Sequence, residues 1–167
     1  ITDLFQAQKN QARLTAIIDA TPDFVGISDA SGKVLYINPA GLKITGFPED
    51  IDVTTLQVSD FVPPSVRELI FNVGLPTAAR EGVWSGESRL AHRDGREIPG
   101  SHVIMSHKSK TGEVECFSTV FRDITQQKAI EDALRRSATQ LAEAQKVAHL
   151  GSWELDVATQ TGSWSEE

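Results

Sequence analysis

An α+β fold is predicted for this chain of 167 residues by three observations: a two-strand hairpin near its start, a three-strand meander later on, and glycine- and proline-free helical stretches before and after them. The first helical stretch runs from Asp3 to Ala20, where Leu4, Ala7, Leu14 and Ile18 recur at intervals that sum to helical turns. Thr21 and Pro22 end it. Phe24 to Asp29 then alternates like a strand, Ala30-Ser31-Gly32-Lys33 supplies a turn, and Val34 to Ile37 returns as the second strand. Asn38-Pro39 is an N-cap residue followed by a proline suited to a first helical turn, so a short helix is predicted from there to Gly46.

The segment from Pro48 to Pro64 is broken by prolines and small polar residues, which predicts short helical turns at Glu49 to Asp52 and Leu56 to Phe61. Ser65 to Arg80 carries Val66, Leu69, Ile70 and Val73 at helical spacing, with Gly74 and Pro76 expected to kink or split the helix. Trp84 to Arg93, Glu97 to Lys108 and Glu113 to Arg122 read as strands. Asp94-Gly95 and Lys110-Thr111-Gly112 join them tightly enough to require antiparallel neighbours. From Asp123 to Ala148 the apolar positions Ile130, Leu134, Leu141, Ala144 and Ala148 step by three, four or seven, with Ser137 interrupting the seam. After Gly151, alternation through Trp153, Leu155 and Val157 and a Thr161-Gly162 turn predict the start of another hairpin.

Composition narrows the function classes. Asp and Glu outnumber Lys and Arg by 23 to 16, giving a net charge of -7, which argues against nucleic acid or an anionic membrane surface as partner. The single cysteine, Cys116, cannot form an internal disulfide and fits a reducing compartment. No apolar run is long enough to span a bilayer, so no direct membrane contact is expected of these residues. A P-loop, a G-x-S-x-G elbow, an H-E-x-x-H helix and a histidine-kinase phosphoacceptor motif are all missing, and no catalytic residue or metal site is predicted. His92, His102, His107 and His149 are expected to make ordinary surface or sheet hydrogen bonds, although His92 and His102 can face each other across a hairpin.

Asp29 to Ala40 resembles the first hairpin and first core helix of the PAS family. Trp84-Ser85-Gly86-Glu87 with His92-Arg93-Asp94-Gly95 is similar to that family's later hairpin, and Arg122-Asp123-Ile124-Thr125 resembles the signature that closes a PAS unit. The resemblance covers Leu14 to Thr125 and implies a five-stranded antiparallel sheet with short helices on one face, flanked by an N-terminal and a long C-terminal signalling helix. It divides the chain into an N-terminal helix at 1–20, a PAS domain at 21–125, a coiled-coil-like exit helix at 126–149 and, at 150–167, the truncated first hairpin of a second PAS unit.

The resemblance therefore implies a sensory and relay module of a larger bacterial signalling protein, a sensor histidine kinase, with the PAS region of a diguanylate cyclase as an alternative. A homodimer is expected, with a kinase or other effector domain downstream in the same chain, in the cytoplasm or on the cytoplasmic side of a membrane-anchored protein. The relay residues are Asp123, Ile124, Thr125 and Gln126: the Asp123 carboxylate caps the exit helix while Gln126 reaches back. Ile130, Leu134 and Leu141 form the dimer seam. The alternative function is a receptor for a noncovalent small molecule. Strand alternation places Val25 and Ile27, then Val34, Tyr36 and Asn38, on common faces, with Phe47, Phe61, Leu69 and Trp84 as further walls. A plain filled core uses the same positions. Neither haem nor covalently bound flavin is expected, because the long helical segment holds no histidine, and the short one before it no cysteine, at the family's usual places.

Overall fold

A computed structural model describes residues 1–149 with their side chains; the hairpin expected over 150–167 lies outside these described residues. The elements run α1 (Thr2–Ala20), β1 (Phe24–Asp29), β2 (Val34–Ile37), α2 (Pro39–Thr45), α3 (Leu75–Glu81), β3 (Val83–Ala91), β4 (Glu97–Lys108), β5 (Val114–Asp123) and α4 (Thr125–Glu166). The strands form one antiparallel sheet in the order β2-β1-β5-β4-β3. Chain contacts separate residues 1–125, which hold the sheet, from residues 126–167.

Local chemistry explains the element boundaries. The Asn38 side chain accepts a hydrogen bond from Gly41 N, Pro39 occupies the first turn of α2, and Gly46 at φ 81° closes it in the left-handed region that glycine tolerates. Between α2 and α3 the expected helix at Glu49 to Asp52 is only a turn, since Pro48 and Asp52 bracket too few residues to nucleate one. Tight helical turns occur at Val53–Thr55 and, within the expected Leu56 to Phe61, at Val58–Asp60, the first capped by Asp52 and the second by reciprocal Gln57 and Asp60 contacts. The expected helix from Ser65 to Arg80 is split into a tight turn at Pro64–Val66, a π-helical segment at Leu69–Gly74 and α3. Pro76 offers no N–H to the carbonyl four residues behind it, and the turn before it widens so that Leu75 N donates to Ile70 O.

Two apolar clusters lie between the sheet and these helical segments. One joins Phe24, Val34, Ile37, Leu42, Phe61, Leu90, Ile98 and Phe121; the other joins Val62, Ile70, Ala78 and Ile104. On β1 the buried residues are Phe24, Gly26 and Ser28, whereas Val25 and Ile27 are half-buried between them. The parity expected for β1 is thus reversed. Phe24 sets it, because its ring meets Phe61 edge-on at 5.8 Å and its strand position pairs with Phe121.

α1 has no buried residue, and Leu4, Phe5, Leu14 and Ile17 are all exposed. Of the expected stripe Leu4, Ala7, Leu14 and Ile18, only Ile18 is half-buried.

Candidate functional site

Two features stand out on residues 1–125: a cavity at the sheet's buried face and a hydrogen-bonded junction where α1 ends and α4 begins.

The cavity has a volume of about 60 Å³. Ile27, Val34, Tyr36 and Phe61 border it, as do Ile70, Ile104, Phe117 and His102. Val25, Asn38, Phe47, Leu69 and Trp84, also expected at a pocket, are placed elsewhere. Phe47 packs with its ring tilted against Phe61 at 5.4 Å and lies under the Arg93 guanidinium. The π-helical segment turns Ile70 inward in place of Leu69. Trp84 meets the cavity's histidine instead, with its ring 5.8 Å from that of His102.

His102 is the polar centre of this region and was expected only to make a routine sheet contact. It is 4% exposed, lies edge-on between Trp84 and Phe121, and shares a 2.7 Å hydrogen bond between its Nδ1 and Ser88 Oγ. Its Nε2 is buried with no hydrogen-bond partner. The sequence carried a signal for this placement, since Ile98, Gly100, His102 and Ile104 share one parity on β4. His92 does not face it. The tight turn pairs His92 N with Arg96 O, and the His92 ring lies beside Asp94 at 2.8 Å.

Burial pushes the His102 imidazole down from 6.5 to about 4. The folded protein therefore holds it neutral while the unfolded chain takes up a proton near pH 6.5. Stability is complete above that pH and is lost as pH falls toward 4, by on the order of 3 kcal/mol for this one group. Urea titrations at pH 7.5 and pH 4.5 should show that loss in the parent protein and a clearly smaller one in His102→Leu. An equal loss in both would show that other groups govern acid sensitivity.

The junction is built on Asn38, which is wholly buried. Its Oδ1 accepts from Val25 N and Gly41 N, each at 2.9 Å. Its Nδ2 donates to Ile18 O at 3.1 Å and to Asp23 O at 2.9 Å. One side chain thereby ties the last turn of α1, the start of β1 and the start of α2. Asp23 continues the connection, since its carboxylate receives the Arg122 guanidinium, with Nη2 to Oδ2 at 3.1 Å. This ion pair raises the Arg122 pKa and joins residues 99 positions apart.

Next to Arg122, Asp123 Oδ1 accepts from Thr125 N at 2.8 Å and Thr125 Oγ1 at 2.6 Å. The helix starts at Thr125, so its N-cap position is Ile124 and Asp123 stands one residue earlier. The carboxylate closes onto Thr125, two residues on, in place of the Gln126 exchange expected of a capping box. Ile124 is buried, with its N–H on Pro99 O. The sequence offers Arg122 only as part of the closing signature and Asp23 not at all, because nothing local relates the two. On α4, Ile130, Leu134 and Leu141 are all exposed. Among the described residues no group of three His, Cys, Asp or Glu side chains is placed to hold a metal ion, and no helix is long and apolar enough to cross a membrane.

A five-stranded antiparallel sheet with short helices over one face and a helix leading out of its last strand defines a class of small α+β domains. The chain belongs to the PAS fold family, whose model matches residues 12–124. It is 21% identical over 150 residues to the sensor histidine kinase TmoS of Ectopseudomonas mendocina, an alignment covering 89% of this chain and 15% of that protein. The chain thus spans only a small part of that relative's length. Among solved structures it is similar to the PAS domain of a protein from Colwellia psychrerythraea, at a TM-score of 0.63 and 20% identity over 72% of this chain and 98% of that one. It is also similar to a sensory box histidine kinase/response regulator from Burkholderia thailandensis, at a TM-score of 0.60 and 19% identity over 78% and 98% of the two chains. At these identities the structural likenesses establish the fold.

Proposed function

We propose that this PAS domain is a non-catalytic relay in a larger cytoplasmic or membrane-anchored sensor histidine kinase, and that it passes conformational change from its sheet into α4 through Arg122, Asp123, Ile124 and Thr125. The observation that carries this reading is the continuous chain of side-chain bonds from Ile18 O through Asn38 and Asp23 to Arg122, next to the Asp123 to Thr125 turn. A shift of β5 against β1 has to break or re-form these contacts, and such discrete rearrangements are how a packed fold passes on a signal. The alignment with TmoS, a sensor histidine kinase, supports the kinase context; the proposed effector domain lies further along the same protein.

The second element of the reading is a homodimer formed by α4. Ile130, Leu134 and Leu141 are exposed at spacings of four and seven, a narrow seam of the kind that pairs in a coiled coil.

The test uses the full-length protein. Asp123→Ala should leave the fold intact, lowering stability by about 1 kcal/mol through loss of the turn contacts, yet uncouple output from stimulus. Unchanged output from that variant would count against the relay. Leu134→Glu, measured by sedimentation, should convert a dimer of this chain to monomer; a parent chain that is already monomeric at high concentration removes the dimer from the reading.

A further inference from the structure

We propose that the Tyr36 hydroxyl is a latch that fixes the angle at which α1 leaves the domain, and that movement of α1 is handed to β2 through the Tyr36 contact with Asp19. The latch names the side chain by which input enters the domain. Its effect on output rests on the relay through Asp123.

The hydrogen bonds that reach α1 from beyond its own cap, among the described residues, all end on its last turn. Asn38 Nδ2 donates to Ile18 O at 3.1 Å, and the Tyr36 hydroxyl donates to Asp19 Oδ1 at 2.5 Å. The two donors stand two residues apart on one extended stretch, so both side chains reach the same side. They are unequal in what they hold. Asn38 is wholly buried and serves four partners, so releasing it damages the fold. Tyr36 is half-buried, Asp19 is exposed, and their single bond opens and closes with the sheet intact.

Helix electrostatics give the bond its leverage. The last turn of α1 carries no basic residue, so the Asp19 carboxylate lies against the negative end of the helix dipole. The phenol donor offsets that repulsion. Burial, and then the same carboxylate, raise the Tyr36 pKa to about 12, which keeps the hydroxyl a donor across physiological pH. When the bond opens, the carboxylate is left unpaired at that end and the turn frays. α1 has 19 residues, none of them buried. At 1.5 Å per residue it extends about 28 Å, so a rotation of about 10° at its last turn moves the far end by about 5 Å. On the other side of the latch, Tyr36 pairs with Ile27 of β1 and Ile27 pairs with Ser118 of β5, the strand that ends at Asp123.

A pair of nitroxide labels on the 167-residue chain measures the angle. Cys116, the single cysteine, takes one label on β5, and Gln8→Cys takes the other on α1. Excess unlabelled chain restricts the distances to those within one molecule. The parent should give one narrow distance. Tyr36→Phe should lower the ratio of latched to released α1 about tenfold, as loss of a hydrogen bond to a charged group does, and should leave the sheet folded by circular dichroism. Asp19→Asn retains an acceptor for the hydroxyl and should retain the narrow distance. Asp19→Ala should release α1 as Tyr36→Phe does, and the two together should be no looser than either alone. In the full-length protein Tyr36→Phe should alter the response to stimulus. An unchanged distance in Tyr36→Phe, a parent already as broad as that variant, or additive loosening in the double variant would each overturn the latch. Output altered by Asp123→Ala but not by Tyr36→Phe overturns the latch and leaves the relay standing, whereas output unaltered by both overturns the two together.

Discussion

Asn38→Ala is expected to remove a large part of the domain's stability. The substitution removes one amide and strands two backbone N–H groups, of Val25 and Gly41, and two carbonyls, of Ile18 and Asp23. Each buried polar group left unpaired costs about 1–3 kcal/mol, and rehydration at the α1 end recovers only part of that sum. A loss of about 4 kcal/mol is expected, against total stabilities of about 5–15 kcal/mol for ordinary domains. Urea denaturation followed by far-ultraviolet circular dichroism measures it. Asn38→Asp separates the two halves of the contact: it keeps acceptors for Val25 N and Gly41 N but turns the donors to Ile18 and Asp23 into repulsive oxygens. It should also be strongly destabilised, with the damage concentrated at the α1 end in hydrogen exchange. A loss below about 1 kcal/mol for the alanine variant would mean that the surrounding backbone finds other partners.

Gly100→Val is expected to be the most disruptive change in the sheet. Gly100 lies on β4 opposite Ser88 of β3 and Asp123 of β5, and a Cβ at this position would fall within the Phe121 ring. Phe121 has no exposed surface into which to retreat, and its ring also meets His102 edge-on at 5.5 Å. Overpacking a filled core costs about 1–3 kcal/mol and occasionally more. Here the colliding partner is a ring held on both sides, so about 3 kcal/mol or more is expected, with displacement of the His102 ring visible in its ¹⁵N shifts. Pairing the milder Gly100→Ala with Phe121→Leu tests the cause. The double variant should recover at least 1 kcal/mol relative to the sum of the singles, as groups in direct contact do. Simple additivity would place the cost in the backbone of β4 instead.

The two substitutions mark where sequence reasoning is strong and where it stops. Asn38 was legible as a cap from its place before Pro39, and the Gly41 bond is what an N-cap makes. Its other three contacts were not legible, because Val25, Asp23 and Ile18 are brought to it by the packing of α1 and β1 against α2. Gly100 gave no local signal, being an unremarked glycine within a strand until the Phe121 ring lay over it. The cavity residues divide the same way. Alternation groups Val34 and Tyr36, which both border the cavity, but the parity of β1 depended on which ring, that of Phe24, reached Phe61.

Strand and helix limits were the most legible part. β1, β2, α2 and β4 coincide with the expected spans, since turn residues, the Asn38-Pro39 start and the Gly46 stop act within a few residues along the chain. The sequence by itself determined these elements, the meander of β3, β4 and β5, and the helical character of α1 and α4. Only the tertiary structure decided that the first strand pairs with the last, Phe24 opposite Phe121. From that pairing follow the Asp23 to Arg122 ion pair and the burial of His102 with its Nε2 unmatched. The reason is physical: capping and turn formation are paid for by neighbours in sequence, whereas a sheet register is selected by which rings fill one core. The junction and the cavity belong wholly to that second kind of choice.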